Sequence, residues 1–346
     1  MLLYIFTIFF IISPYFPATG NPHWFFRTAD FVRLQSIFIQ IGLLALLIYF
    51  EQDFTPFVWI LTVGLIITIM YQTYKVFPYS AFFPLKKSKH ASGGFVSVFA
   101  GNVLQTNTNY SQFLKEIERF DPEIVLAMET NKDWERGLSE IEEEYRFSVK
   151  VPLDNFYGMH VYSKIKLENI EVKYQIEDDK PSVFFNVPIK GNPPIYFCCL
   201  HPAPPSPSEN ETSKERDAEL MITGKHIREM DQPTVVCGDM NDVVWSRTTR
   251  LFKKMTGMID PRVGRGFFTT YNANYFFLRF PLDHLFHTED LYVGKMVRSK
   301  HFGSDHFAMY YEIHHKKNVP TPNNPKMNGE EKEEVDDLIE EGKKNS

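Results

Sequence analysis

The order of apolar and polar residues divides this chain between two solvents. Leu2 to Phe16 is apolar and rich in Phe and Ile. Phe31 to Phe50 is apolar except for Arg33, Gln35 and Gln40, and Phe57 to Tyr71 is apolar again and can extend to Phe77. These runs are apolar all round and lack a stripe, and a spanning helix needs about 20 predominantly apolar residues. Three transmembrane helices are therefore predicted within residues 1–77, the alternative being buried helices of a soluble protein. The first run is short and contains Pro14. Ala18-Thr19-Gly20 behind it also fits a cleaved signal peptide, although no Lys or Arg precedes the run.

Beyond residue 95 the pattern is that of a water-soluble domain. Strands are predicted at Phe95–Phe99, Ile124–Met128, Gly158–Tyr162, Val183–Pro188, Ile195–Leu200, Thr234–Cys237, Leu282–Phe286 and Phe307–Ile313. Helices are predicted at Tyr110–Phe120, Glu135–Tyr145, Ser213–Met230 and Thr248–Met255. In the first of them Phe113, Leu114, Ile117 and Phe120 share a face. Partial βαβ alternation mixed with hairpin-like stretches predicts an α+β sandwich. Residues 78–94 read as a linker with Pro78, Pro84, the basic cluster Lys86, Lys87 and Lys89, and Ser92-Gly93-Gly94. Residues 95–316 form the folded domain. Residues 317–346 read as a disordered acidic tail, in which a short helix around Glu330–Glu341 is possible.

Composition narrows the function. The net charge of −6 provides no strong basic field to recruit nucleic acid. Cys198, Cys199 and Cys237 sit inside apolar strand-like runs, and neighbours on a strand point to opposite faces. They read as core residues, not as a disulfide or metal framework.

The candidate chemistry lies at the ends of the apolar runs. Val235-Val236-Cys237-Gly238-Asp239-Met240-Asn241 carries a carboxylate and a carboxamide two residues apart, so in an extended segment both face one volume. A carboxylate can orient or deprotonate water and an amide can donate to a phosphoryl oxygen. Alone, the same residues also make an ordinary turn. Asn102 ends Val98-Phe99-Ala100-Gly101, Glu129 follows Ile124–Met128, His201 follows Cys198-Cys199-Leu200, Asp283 lies in Pro281-Leu282-Asp283-His284, and Asp305 and His306 lie in Gly303-Ser304-Asp305-His306.

This ordered set resembles the endonuclease/exonuclease/phosphatase superfamily, the metal-dependent phosphodiesterases related to pancreatic deoxyribonuclease, over roughly Phe95 to His315. The resemblance implies two packed β-sheets flanked by helices, a four-layer sandwich, here preceded by transmembrane helices. It implies Glu129 as the principal metal ligand, with Asp305 and Asn102 on the metal side, and Mg²⁺ or Mn²⁺ as the ion. It implies Asp239 and Asn241 in water activation and phosphate binding, His306 as the catalytic histidine oriented by Asp283, and His201 contacting phosphate or protonating the leaving oxygen. His284, His287, His314 and His315 read as structural. The Pro-rich loop after His201 departs from the deoxyribonuclease pattern and, with the apolar N-terminal segments, resembles the membrane-linked bacterial branch.

The expected function is a membrane-anchored, divalent-metal-dependent phosphoesterase, foremost a phosphodiesterase or nuclease. The expected partners are a phosphate ester of nucleic acid or of a phospholipid headgroup, and membrane lipid around the N-terminal helices. No protein partner is inferred. The rivals are a lipid-headgroup enzyme of sphingomyelinase or phosphoinositide type, and a non-catalytic membrane scaffold. The scaffold is disfavoured because each superfamily position carries a competent residue. Arg247, Arg250 and Lys254, and Arg262 and Arg265 before the aromatic stretch Phe267–Phe280, could touch substrate or serve structure. The Arg27/Arg33 loop and the basic linker fall on one side of the membrane, the Glu51–Asp53 loop on the other. This asymmetry puts the folded domain in the cytoplasm, whereas cleavage after a signal would put it outside.

Overall fold

Two pairs of parallel strands decide the architecture, because each delivers its C-terminal ends to the same edge of a sheet. The computed structural model describes residues 1–85, 91–316 and 327–345. In chain order its elements are α1 (Leu2–Ile12), α2 (Trp24–Phe31), α3 (Arg33–Phe50), α4 (Pro56–Val76), β1 (Ala91–Asn102), α5 (Tyr110–Phe120), β2 (Ile124–Met128), α6 (Lys132–Gly137), β3 (Phe147–Val151), β4 (Met159–Ser163), β5 (Glu168–Lys173), β6 (Ser182–Ile189), β7 (Asn192–Cys199), α7 (Lys214–Glu229), β8 (Thr234–Asp239), α8 (Arg247–Thr256), β9 (Asp283–His287), β10 (Leu291–Arg298), β11 (Met309–Lys316) and α9 (Gly329–Asn345). One mixed sheet has the order β10-β11-β1-β2-β4-β3, the other β5-β6-β7-β8-β9. The parallel pairs are β1 with β2 and β7 with β8.

The sheets pack face to face over a core that includes Val98, Leu126, Val161, Phe185, Phe197, Val235 and Ile313. The outer face of the first sheet is covered by α5 and α6 through Phe99, Phe113, Ile117 and Trp134. The outer face of the second is covered by α7 and α8 through Leu220, Met221, Val236 and Phe252. This is the four-layer α+β sandwich expected. Cys198 faces the helices while Cys199 faces the inter-sheet core, and all three cysteines are free and buried.

Three differences from the sequence reading have physical causes. First, β3, β5 and β10 were not expected. All three are edge strands, and β5 is exposed along most of its length, so none carries a clear alternating pattern. Second, the predicted Glu135–Tyr145 helix is the shorter α6 followed by a 3₁₀ turn at Ser139–Glu143. The Tyr110 ring presses on Gly137, where a Cβ would lie 2.5 Å from it. Third, the acidic segment expected to be disordered forms α9. Val335, Leu338 and Ile339 join the core cluster of α7 and α8, and Lys214, Arg247 and Lys254 pair with Glu341, Glu334 and Glu331. Lys86, Lys87 and Lys89, and the start of the tail at 317–326, lie outside the described residues.

The N-terminal helices carry their apolar side chains outward, with Phe38, Tyr49, Phe50, Ile60, Ile67 and Met70 among the most exposed. Three helical stretches, Leu2–Thr19, Arg33–Phe50 and Pro56–Tyr79, are long and apolar enough to cross a membrane. Polar groups face inward between them. Gln72 Nε2 donates to Gln40 Oε1 at 2.7 Å and Gln40 Nε2 donates to the Phe10 carbonyl at 2.5 Å, polar contacts that tie the apolar helices to one another.

The helices are joined to the sandwich by a buried network. Arg27 of α2 reaches Asp217 Oδ2 at 3.3 Å, and Arg216 grips Asp217 Oδ1 at 2.7 Å and Asp242 Oδ2 at 3.5 Å. Trp245 Nε1 donates to the Asp30 carbonyl at 2.8 Å, and the Tyr79 hydroxyl donates to the Val244 carbonyl at 3.1 Å.

Burial also governs the response to acid. His160 on β4 is fully buried, and burial, with Lys150 across the strand pair adding to it, depresses its pKa from 6.5 to about 3. Above pH 6.5 both folded and unfolded chains hold it neutral. As pH falls toward 3 only the unfolded chain takes the proton, so stability is lost with acid. Between pH 7 and pH 5 this residue alone is expected to remove about 2 kcal/mol. Thermal unfolding of the full chain in nanodiscs at the two pH values checks this: His160→Gln must flatten the pH dependence, and an unchanged slope contradicts the assignment.

Candidate active site

The strand ends gather the candidate residues at one end of the sandwich. The β1–β2 register places Asn102 opposite Met128, so Asn102 and Glu129 emerge together. The β7–β8 register places Cys199 opposite Cys237, so the chain reaches His201 beside Asp239. β9 runs antiparallel to β8, with Asp283 opposite Asp239. Asp305 and His306 lie just before β11, which pairs with β1. A cavity of about 310 Å³ is lined by Glu129, His201, Asp239, Asn241, Asp305 and His306, together with Tyr157, Tyr271 and Phe31. Asp283 stands behind His306, and Asn102 between two carboxylates.

Local backbone geometry aims these groups. Glu129 (φ +60°) and Asn241 (φ +48°) occupy the left-handed region, uncommon for residues with a side chain. Both sit where a strand must turn sharply after its last pair. Gly238 (φ +139°) admits no side chain, since a Cβ there would lie 1.9 Å from the Leu200 carbonyl oxygen. This close approach seats the β8 end against the segment leading to His201. The expectation that Asp239 and Asn241 share an extended segment is corrected: the Asn241 N–H donates to Asp239 Oδ1 at 3.0 Å, closing a turn. Asn241 Nδ2 donates to the Pro202 carbonyl at 3.0 Å, which leaves its second amide hydrogen for another acceptor.

The centre is a chain of alternating charge. His306 Nδ1 bonds Asp283 Oδ2 at 2.8 Å, and His306 Nε2 lies 3.5 Å from Asp239 Oδ2. Burial alone would depress the imidazole; the flanking carboxylates and the bond to Asp283 outweigh it and hold the pKa at about 10. His306 is therefore an imidazolium at neutral pH. His201 differs. Burial lowers it to about 4 despite Asp239 at 3.9 Å, and its buried Nδ1 has no protein partner. A neutral imidazole can contact a phosphoryl oxygen but is a poor source of a proton for a leaving group, so the first of its two expected roles fits better.

Burial raises Glu129 to about 7, against a hydrogen bond from Asn102 Nδ2 to its Oε1 at 2.6 Å. Asn102 Nδ2 also reaches Asp239 Oδ2 at 3.2 Å, while its Oδ1 accepts from the Leu104 N–H at 3.0 Å. Asn102, expected as a metal-side ligand, thus bridges two carboxylates and turns its oxygen to the backbone. Asp305 Oδ1 is buried without a hydrogen-bond partner. A desolvated carboxylate and an orphaned carboxylate oxygen at one cavity fit a hard divalent cation, which takes oxygen ligands. Asp239, Asp283 and His306 also bring three possible ligand atoms within 4.8 Å of one another. The short Asp283–His306 bond and the charge on His306 make that trio an ion chain, so the cation fits better on Glu129 and Asp305.

Several features escaped the sequence reading. Tyr271 lays its ring 4.8 Å from His306, Tyr157 lies 5.1 Å from His201 and donates to Glu209, and Phe31 comes from α2. For Tyr271 the aromatic stretch 267–280 was a signal; for Tyr157 and Phe31 there was none. Arg262 is buried against Asp260 at 2.9 Å and donates to the Asp283 carbonyl at 3.3 Å, so it supports the site from behind. Arg247 and Lys254 bind α9, and His284 is buried with Nε2 2.8 Å from the Asp242 carbonyl.

A strand-end site of acids, amides and histidines on a two-sheet sandwich defines a class of phosphoesterase, and the comparisons agree. The sequence profile of the endonuclease/exonuclease/phosphatase family matches residues 96–306. The chain belongs to this family, and it is a metal-dependent hydrolase of phosphate ester bonds. Similar solved structures include D. rerio TDP2 complexed with single-strand DNA product (16% identity, TM-score 0.53, covering 64% of this chain and 99% of that one). The human Nocturnin catalytic domain with bound sulfate is also similar (14%, 0.54, 66% and 97%), as is an endonuclease/exonuclease/phosphatase from Beutenbergia cavernae DSM 12333 (15%, 0.53, 65% and 72%). At these identities the shared property is the fold. No curated protein matches the chain.

If Asp283 sets the charge of His306, the two act as a unit. Asp283→Asn should lower the His306 pKa by more than one unit, read by NMR of labelled histidine. The Asp283→Asn/His306→Ala double variant should lose little more turnover than the worse single variant. Additive losses would count against the pair.

Proposed function

We propose that this chain is a membrane-anchored phosphodiesterase that uses Mg²⁺ or Mn²⁺. The observation that carries the reading is the ion chain Asp283–His306–Asp239, whose His306 and Asp239 line the same cavity as Glu129 and Asp305. Glu129 and Asp305 would hold the ion. Bound there, it supplies positive charge to the phosphate oxygens. Asp239 orients the attacking water and accepts its proton. Neutral His201 and the free amide hydrogen of Asn241 contact phosphoryl oxygens. The His306 imidazolium, held by Asp283, donates its Nε2 proton to the departing oxygen.

The three apolar helices support a multi-pass anchor. Met1 and the 51–55 loop lie at one end of the helices, since the Tyr4 hydroxyl bonds Glu51 at 2.5 Å, and the hydrolase domain lies at the other. The Arg and Lys distribution supports a cytoplasmic domain. A GFP fused after Ser346 is then expected to fluoresce and alkaline phosphatase fused there to be inactive; the reverse pattern puts the domain outside.

Turnover of a soluble phosphodiester by the full chain in nanodiscs is expected to stop in EDTA and to return with Mg²⁺ or Mn²⁺. Glu129→Ala should cost on the order of a hundredfold in kcat with the thermal unfolding temperature retained. Undiminished hydrolysis in EDTA would exclude this mechanism.

A further inference from the structure

The stretch Thr270–Phe280 forms a hairpin whose base is in the site and whose tip is in the open. At the base, the Thr270 and Tyr271 N–H groups donate to the Phe280 carbonyl at 3.0 Å, and the Ala273 N–H donates to the Asp305 carbonyl at 2.6 Å. At the tip, Tyr275, Phe276, Phe277 and Leu278 are four consecutive apolar residues in solvent, with Phe276 77% and Phe277 80% exposed. Aromatic residues so displayed mark a contact surface, because single exposed apolar residues are common but a contiguous run is not.

The structure also indicates what covers this run. Gln35 Nε2 donates to the Phe277 carbonyl at 2.7 Å, and Gln35 lies in the first turn of α3. The tip is therefore tied to the level at which a membrane-spanning stretch begins. Phe38, three residues further along α3, is among the most exposed apolar residues of the chain. Phe31, at the end of α2, packs its ring 5.9 Å from Phe280 and also lines the cavity. The cavity mouth is thus bordered by the juxtamembrane helix on one side and the base of the aromatic hairpin on the other. An aromatic tip at the headgroup level fits a bilayer, where one end of the ring system is apolar and the other wet. Stacked bases fit less well. A strand of nucleic acid on the tip would run against the apolar faces of the spanning helices, Arg247 and Lys254 are already paired with α9, and the net charge is −6.

We infer that the Tyr275–Leu278 tip rests in the bilayer interface and that the substrate is a phospholipid whose headgroup phosphodiester enters the cavity while its acyl chains stay in the membrane. This rests on the phosphodiesterase reading above and names its substrate class. Water adds to phosphorus, the P–O bond to one alcohol breaks, the water proton passes to Asp239, and the departing oxygen takes a proton. The products are an alcohol and a phosphomonoester.

The test uses the full chain reconstituted with Mg²⁺ in vesicles of phosphatidylcholine, phosphatidylglycerol and sphingomyelin. Lipid hydrolysis is measured beside bis(p-nitrophenyl) phosphate and a single-stranded oligonucleotide. Turnover of a vesicle lipid at least tenfold above either soluble diester is expected. Phe276→Ser with Phe277→Ser should lower lipid turnover at least tenfold and leave bis(p-nitrophenyl) phosphate turnover unchanged. Hydrolysis of a soluble diester with all three lipids untouched overturns the lipid inference and leaves the phosphodiesterase reading standing; lipid turnover indifferent to the double variant overturns the placement of the tip. No hydrolysis of any diester removes both. A fluorophore on Phe277→Cys gives an independent reading, since the native cysteines are buried. Quenching by spin-labelled lipid is expected; quenching by aqueous iodide alone overturns the placement.

Discussion

The buried ion network around Arg216 is the constraint on which the rest of the molecule depends. Arg216 and Asp217 are both fully enclosed, and burial penalises each charge. Their mutual attraction, with Arg27 of α2 drawn to Asp217 and Asp242 from the loop after the site drawn to Arg216, outweighs that penalty, holding Asp217 below the ordinary carboxylate range and Arg216 above its usual value. Losing one member would leave the others buried and uncompensated, a change that typically costs several kcal/mol. Arg216 Nη1 also donates to the Asn241 carbonyl at 2.8 Å. One network thereby fixes the N-terminal helices to the sandwich and holds the turn that presents Asp239 and Asn241.

The site itself works by opposition of environments. His306 and His201 are both buried close to Asp239, yet one is held as a cation and the other neutral. The difference is the second carboxylate: Asp283 bonds His306 at 2.8 Å, while His201 has no such partner. Two histidines of contrasting charge thus stand beside one carboxylate, and in the proposed mechanism they would offer a phosphate a cation and a neutral contact. Glu129, raised by burial, and Asp305, with an orphaned oxygen, leave negative charge that a divalent ion would balance.

The α9 helix shows how charge and packing cooperate where composition misleads. Its surface is acidic, but Val335, Leu338 and Ile339 lie on one face and reach the α7–α8 cluster. Glu331, Glu334 and Glu341 then meet Lys254, Arg247 and Lys214. Two of the basic residues of α8, Arg247 and Lys254, are thereby paired with this helix.

Much of this protein was legible in its sequence. The long apolar runs announced three helices long and apolar enough to cross a membrane, because their residues are apolar all round and leave no polar stripe for water. The Gly238-Asp239-Met240-Asn241, Leu282-Asp283-His284 and Ser304-Asp305-His306 segments, taken in this order, announced a phosphoesterase through their resemblance to the endonuclease/exonuclease/phosphatase family. The edge strands β3, β5 and β10 stayed hidden, because a strand paired on one side and open to solvent keeps little alternation. Tertiary structure alone decided that Asn102 bridges two carboxylates, that His306 is a cation and His201 neutral, and that Arg216 unites the N-terminal helices and the site. It alone brought Phe31 and Tyr271, at the base of the aromatic hairpin, into the lining of one cavity. Charge states and shared cavities arise from groups far apart in sequence, and only the folded chain brings those groups within reach of one another.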